Sequence, residues 1–230
     1  EKLHSEQSDH YVAGLEGNLI PELSLNLQSY YKKYGSLVSY NRDKVDAQDP
    51  DYINSIGEAY GFETLLRYGV PFIDIYTAYT ISWTTITASG FTYSPKYDRR
   101  HTLNALTVFH LADNLDLSLR WEVGSGFPYS QTVGYYDRLT FSDVFRNPQF
   151  GETGNPFIRL GTKNSSRLPT YHRLDASLNY RFSLGFINGT LGAHIVNVYD
   201  QKNIFYFDRK TGQQINMLPF FPSATLSLEY

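Results

Sequence analysis

The residues best able to do chemistry in this chain are dispersed rather than clustered. Six histidines, His4, His10, His101, His110, His172 and His194, include no i, i+4 pair and no His-x-His pair. Those are the spacings that bring two imidazoles onto one face of a helix or strand to hold a metal, so hydrogen bonding at strand entries is the expected role of His101 and His172. Asp46, Asp49 and Asp51 lack the glycine and terminal glutamate of a calcium loop and read as a solvated turn. Gly124-Ser125-Gly126 lacks the Gly-x-Ser-x-Gly frame and a following helix, so Ser125 is not a nucleophile. With no cysteine, disulfides, thiolate metal sites and a cysteine nucleophile are excluded together. Two glycosylation triplets, Asn164-Ser165-Ser166 and Asn188-Gly189-Thr190, are chance matches, and Asn188-Gly189 reads as a turn. No catalytic residue, metal or cofactor is assigned.

Binding is better served. The stretch from Phe127 to Arg167 is longer than an unstructured connection usually is. It interleaves Tyr129, Tyr135, Tyr136, Phe141, Phe145 and Phe150 with Arg138, Arg146, Arg159 and Arg167. Rings that stack beside guanidinium groups that donate suit a polar ligand, and Tyr129, Tyr135, Tyr136, Arg138 and Arg146 are the candidate contacts. The same residues could instead pack the stretch against its neighbours.

The elements that must position such a loop are strands. Apolar and polar residues alternate along nearly the whole chain, the pattern of a strand with one wet and one apolar face. From Arg173 to Phe182, Leu174, Ala176, Leu178, Tyr180 and Phe182 oppose Arg173, Asp175, Ser177, Asn179 and Arg181. From Leu115 to Val123, three leucines, Trp121 and Val123 oppose Asp116, Ser118, Arg120 and Glu122. Glu22 to Leu27 and Ile73 to Trp83 read alike, and at the end Ala224, Leu226, Leu228 and Tyr230 oppose Ser223, Thr225, Ser227 and Glu229. Leu106 and Val108 fall on the wet face, and the phase slips at Val196 to Val198, where a β-bulge is expected.

Of 230 residues, 41% are hydrophobic and 16% aromatic, with 20 tyrosines and a net charge of -3. That charge argues against a nucleic-acid surface. Tyrosine, with its apolar ring and polar tip, suits a boundary between water and lipid. No run of about 18 apolar residues exists for a transmembrane helix, so any span must be made of strands. Apolar faces with aromatics near their ends match a lipid-facing band.

Connections alternate in length. Short ones are expected near Asn18–Pro21, Tyr68–Phe72, Ala112–Asn114 and Ser183–Asn188, and long ones near Ser36–Asn54, Ser89–Asp98, Phe127–Arg167 and Ile204–Leu218. Outer-membrane barrels have short periplasmic turns and long outer loops, so the expectation is about nine strands that start outside and end in the periplasm. Nine strands leave open edges that lipid does not tolerate. A start at Glu1 without initiator Met or signal peptide is expected of a mature or truncated product, with partner strands supplied by further chain.

Four motifs, in order, resemble the C-terminal barrel strands of TonB-dependent receptors. They are Ser94-Pro95-Lys96-Tyr97-Asp98-Arg99-Arg100-His101-Thr102-Leu103-Asn104, Gly124-Ser125-Gly126-Phe127-Pro128-Tyr129, Tyr171-His172-Arg173-Leu174-Asp175 and Asn197-Val198-Tyr199-Asp200. The terminal aromatic, with Ala224, Leu226 and Leu228 before it, is similar to the signal read by the barrel-assembly machinery. The resemblance implies an all-β, transmembrane antiparallel barrel of about 22 strands, of which residues 1–230 supply the C-terminal nine and residues 127–167 a long extracellular loop. It also implies a plug, contact with a TonB-type energy-transducing protein, outer-membrane lipid around the wall and an accessory surface lipoprotein as a further partner. Arg120, Glu122, Arg173, Asp175 and Arg181 would face the lumen and the plug. The expected function is uptake of a scarce, bulky nutrient such as a siderophore, cobalamin or an oligosaccharide. Two alternatives stay open: a barrel hydrolase using His101, His172, Asp98 and Asp175 near the rim, and a soluble β-sandwich with tyrosine platforms.

Overall fold

The computed structural model of the chain describes residues 3–41, 44, 46–136, 157–209 and 211–229, except the side chains of Tyr136 and Phe157. It is all strand: β1 (Gln7–Ile20), β2 (Leu23–Tyr40), β3 (Tyr52–Val70), β4 (Ile73–Ala88), β5 (Phe91–Tyr93), β6 (His101–Ala112), β7 (Leu115–Gly124), β8 (Pro128–Tyr129), β9 (Thr132–Tyr136), β10 (Phe157–Leu160), β11 (Ser166–Arg167), β12 (Tyr171–Leu184), β13 (Ile187–Val196), β14 (Ile204–Phe207), β15 (Gln214–Asn216) and β16 (Phe221–Glu229). Nine of these form one antiparallel sheet in the order β1-β2-β3-β4-β6-β7-β12-β13-β16, with β5 folded back on β4. The nine-strand expectation is met, and each long strand neighbours the next in sequence, the arrangement of a barrel wall.

Register turns the alternation of each strand into one continuous surface. Leu15, Leu27, Thr64, Tyr79, Leu103 and Val123 lie opposite one another from β1 to β7. Leu115, Tyr180, Leu191 and Leu226 continue the same face from β7 to β16. The other face pairs Glu122 with Arg173 and Arg120 with Asp175. Leu106 and Val108 sit on this polar face, opposite Arg120 and Ser118. A one-residue slip between any two strands would exchange the faces.

The apolar face is bare. Leu15 is 77% exposed and Leu226 60%, and apart from Pro95 and Pro128 the buried apolar side chains among those described are Ala59 and Ile86 alone. A soluble sandwich would cover such a face with a second sheet, and among the described residues none lies over it. A hydrocarbon layer is the environment in which this surface stops being a cost.

The short links are the two-residue turns Pro21-Glu22, Pro71-Phe72, Asp113-Asn114 and Gly185-Phe186. Gly185 takes a φ of 64°, which a glycine adopts at no steric cost. Asn188-Gly189 is therefore not the turn expected of it, because both residues lie inside β13 and pair with β12 and β16. The expected bulge at Val196–Val198 is also absent. Pairing with β16 runs unbroken to Val196, and the phase slips because the strand ends there, with Asn197 at φ 58°. The described parts of the longer connections hold more strand than expected. β2 and β3 run on to Tyr40 and from Tyr52, a tight Ser89-Gly90 hairpin with both φ positive joins β4 to β5, and β8–β11, β9–β10 and β14–β15 are small two-stranded sheets. The type I′ hairpin turn needs φ above zero at both positions.

The two faces predict opposite responses to one substitution. Leu119→Arg, on the apolar face near mid-height, is expected to cost about 2–4 kcal/mol of barrel stability, while Ser118→Arg beside it is tolerated. The heat-modifiable, folded fraction on unheated gels of the membrane protein checks both; equal tolerance would reverse the face assignment.

Candidate functional site

Where the sheet ends, strand partners are replaced by side chains. β4 continues past the start of β6, leaving the Thr84 N–H without a strand to pair with. Asp98, 1% exposed, fills the gap: its Oδ1 accepts from Thr84 N–H at 2.9 Å. Its Oδ2 contacts the Arg167 guanidinium, whose Nη1 also donates to the Asp98 carbonyl at 2.9 Å and to the Gly126 carbonyl at 3.2 Å. Gly126 is compulsory, because a Cβ there would lie 1.5 Å from the Leu168 carbonyl oxygen. Arg99 lies over the rings of Phe127 and Tyr171, at 4.1 and 5.2 Å. Burial lowers the Arg99 pKa, opposed by Tyr171 and Glu122.

Three buried asparagines fasten the connections. Asn197, fully buried, donates to the carbonyls of Gln201 and Leu218, each at 3.0 Å, while its own N–H donates to Asp175 Oδ1 at 2.9 Å. Asn203 uses its amide as a strand partner for His172, accepting from the N–H at 3.1 Å and donating to the carbonyl at 2.9 Å. Asn164 donates to the Ser94 carbonyl at 2.8 Å, and Lys163 sits 3.7 Å over the Tyr93 ring. The four sequence motifs thus meet at the loop ends of neighbouring strands, where they hold loop bases to the wall. Asn164 and Asn203 lie outside those motifs, and lone asparagines in connecting segments give little sequence signal.

On the polar face Arg120, Glu122, Arg173 and Asp175 come together and satisfy one another. Arg120 contacts Glu122, Arg173 lies 2.9 Å from Asp175 and 3.8 Å from Glu122, and the Tyr171 hydroxyl donates to Glu122 at 3.1 Å. Two positive and two negative charges leave no net charge. Arg181 lies apart, near the short turns, 2.6 Å from Asp116. His110 stands between Asp116 and Asp74 at 2.8 and 3.0 Å, an arrangement that neither its position in the sequence nor any motif announced.

Of the candidate ligand contacts, Tyr129 and Tyr135 share a cleft of about 850 Å³ with Lys96, Phe205, Tyr206 and Arg209. The Tyr129 ring is 5.8 Å from that of Phe207, and the Tyr135 hydroxyl donates to the Arg209 carbonyl at 3.0 Å. The Tyr136 side chain, Arg138 and Arg146, with Phe141, Phe145 and Phe150, lie outside the described residues. The β14–β15 hairpin was missed as a contributor. Its signal was the aromatic run Phe205-Tyr206-Phe207 inside a segment read only as a long loop.

The hydrolase constellation does not assemble. His101 bonds the Tyr79 hydroxyl at 2.8 Å, His172 that of Tyr199 at 2.9 Å, Asp98 is held by arginine and Asp175 by Arg173 and Asn197. Asp51 is paired with Lys44 at 2.9 Å. At the end of the chain Ala224 and Leu226 lie opposite Ala193 and Leu191 on the apolar face, as does Leu228 opposite Gly189; Tyr230 lies outside the described residues. Removing the Asp98 carboxylate should loosen the loop bases. Asp98→Ala is expected to cost on the order of 2 kcal/mol, below the 3–5 of a fully buried pair because Arg167 reaches water. Limited proteolysis should then cut within residues 125–170 well before the wall; unchanged resistance would remove Asp98 from this role.

Comparison with known proteins locates the fold. Curated protein sequences give no match. Among solved structures, the ferric-catecholate import receptor Fiu from E. coli K12 aligns over 99% of this chain and 28% of its own, with a TM-score of 0.62 and 14% identity. The ferripyoverdine receptor of the outer membrane of Pseudomonas aeruginosa, bound to ferripyoverdine, aligns over 99% and 27%, with a TM-score of 0.63 and 13% identity. The ferric citrate transporter FecA, unliganded, aligns over 96% and 31%, with a TM-score of 0.60 and 15% identity. The chain therefore spans less than a third of the length of each of these structures. A family model described as TonB dependent receptor-like, beta-barrel matches residues 1–198. A single antiparallel wall with one bare apolar face, loop bases clamped at one end and that match together establish that this chain belongs to the TonB-dependent receptor β-barrel family.

Proposed function

We propose that this chain forms wall and outer loops of a receptor that imports a scarce, bulky nutrient, with a ferric siderophore preferred over cobalamin or an oligosaccharide. The observation that carries the reading is the cleft between Tyr129, Tyr135 and the β14–β15 hairpin, where rings and the basic side chains of Lys96 and Arg209 converge. Aromatic faces stack on planar ligands and cations draw anionic ones. That structurally similar proteins are a ferric-catecholate import receptor, a receptor bound to ferripyoverdine and a ferric citrate transporter supports the preference.

In this reading the short turns lie in the periplasm and the polar face lines the lumen. Arg120, Glu122, Arg173 and Asp175 then present a neutral, pre-paired surface to a plug, with Arg181 nearer the periplasmic end. Ala224, Leu226, Leu228 and Tyr230 serve barrel assembly. A TonB-type protein supplies energy through the plug, and an accessory surface lipoprotein would sit over the outer loops.

Tyr129→Ala and Phe207→Ala in the full receptor are expected to weaken binding of the cognate ferric siderophore about three- to tenfold each, the loss of one aromatic contact. Folded barrel in the membrane should be unchanged. The check is tryptophan quenching against a panel of ferric catecholate, hydroxamate and citrate complexes, cobalamin and oligosaccharides. Binding of cobalamin or a sugar alone would overturn the preference, and binding to one of the panel unaffected by either substitution would move the site elsewhere.

A further inference from the structure

The outward surface of the wall carries an arginine beside a histidine, Arg100 and His101, that ligand uptake leaves unused. Tyr11, Tyr31, Tyr60 and Trp83 form one register row across β1 to β4 on the apolar face. Tyr11 stacks on Tyr31 at 6.4 Å and Tyr60 on Trp83 at 5.4 Å. The row stands about ten residues along the strands from the short turns; at roughly 3.3 Å per residue and a tilt near 40°, that is about 25 Å of height, the full apolar band. It marks the far boundary between hydrocarbon and headgroups, where tyrosine and tryptophan collect.

At this boundary two basic side chains lie against apolar-face aromatics of β4. The Arg100 guanidinium is 4.9 Å from the Trp83 ring, and the His101 ring stacks at 6.2 Å on Tyr79, whose hydroxyl it bonds. Arg100 has one ionic neighbour, Asp98 at 3.6 Å, and that carboxylate is already engaged by Arg167 and Thr84. The Arg100 side chain is 32% exposed, and none of its side-chain nitrogens has a hydrogen-bond partner among the described residues. On β6, β7 and β12 the paired register puts Asp116, Glu122 and Asp175 on the opposite face. The acidic residues that do share the outward face, Asp9 and Glu58, flank Lys33 farther along the wall. A positive charge is thus left outward-facing at headgroup height, continuous with the lipid-facing surface.

We infer that Arg100 and His101, resting on Trp83 and Tyr79, bind the phosphorylated headgroup of an outer-leaflet lipid. The guanidinium matches the planar, bidentate geometry of a phosphate, the histidine adds a donor, and the two rings pack along the junction of headgroup and chains. The site rests on the membrane orientation proposed above and shares no lining residue with the cleft.

The test uses the full-length receptor in detergent, with folding verified by heat-modifiable migration and lipid retention read by native mass spectrometry. Lipid A and its dephosphorylated form are the probes, and inorganic phosphate the competitor. Lipid A should be retained over the dephosphorylated form and resist millimolar phosphate. Arg100→Gln should weaken retention about fivefold, the effect of one cation near a lipid surface. Arg100→Gln with His101→Asn should weaken it further, and Arg100→Lys should recover most of the loss. Equal retention of dephosphorylated lipid, displacement by free phosphate, or retention unchanged in the double variant would each overturn the site. Siderophore binding by the same samples reports separately on the cleft, so failure of one reading is not mistaken for failure of the other.

Discussion

A backbone that crosses hydrocarbon must find every hydrogen-bond partner on a neighbouring strand, because no water is present to take its place. The rest of this structure follows from that constraint. It forces the strands into one sheet whose register holds across nine of them, and register decides which side chains face lipid. Leucines, tyrosines and tryptophans that would be a liability on a soluble protein become the contact surface. The polar face, relieved of any need to form a core, holds its charges by pairing them along and across strands, as Glu122 does with Arg120 on its own strand and Arg173 on the next.

The same constraint explains what happens where pairing stops. At the loop ends the sheet is ragged, and some backbone groups left without a strand are met by a side chain that imitates one: Asp98 for Thr84, Asn203 for both backbone groups of His172. Such substitutes are short, polar and well oriented, and an unmet buried group would cost more than they do. Because the substitutes come from neighbouring connections, they tie those connections to each other as well as to the wall.

Legibility in the sequence followed the range of the interactions. Alternation is local, so the faces at Arg173–Phe182 and Leu115–Val123 could be read residue by residue, and the strand count with them. The family motifs were visible because side chains such as Asp98, Gly126 and Asn197 are each fixed by a steric or hydrogen-bonding demand that few residue types meet. The turn at Gly185-Phe186 was misplaced because Asn188-Gly189 has better turn chemistry, which pairing on both sides of β13 overrides. The slip at Val196–Val198 looked like a bulge because a period cannot tell an inserted residue from the end of a strand. The cleft was half legible. Tyr129 and Tyr135 stood out, but their partners lie some seventy residues further along, and no local pattern reports that Tyr135 reaches Arg209.

The strands are unequal in length: β3 has 19 residues and β13 has 10, a difference of about 30 Å of chain at 3.3 Å per residue. Where the strands are long, the rim is continuous ladder-bonded sheet; where they are short, the same height is filled by connections held through a few asparagine, aspartate and arginine side chains. Those two constructions differ in stiffness. A ladder yields only by breaking many bonds together, whereas a side-chain fastening can release one contact at a time. The rim therefore has a rigid sector and a compliant one, and the aromatic cleft belongs to the compliant sector.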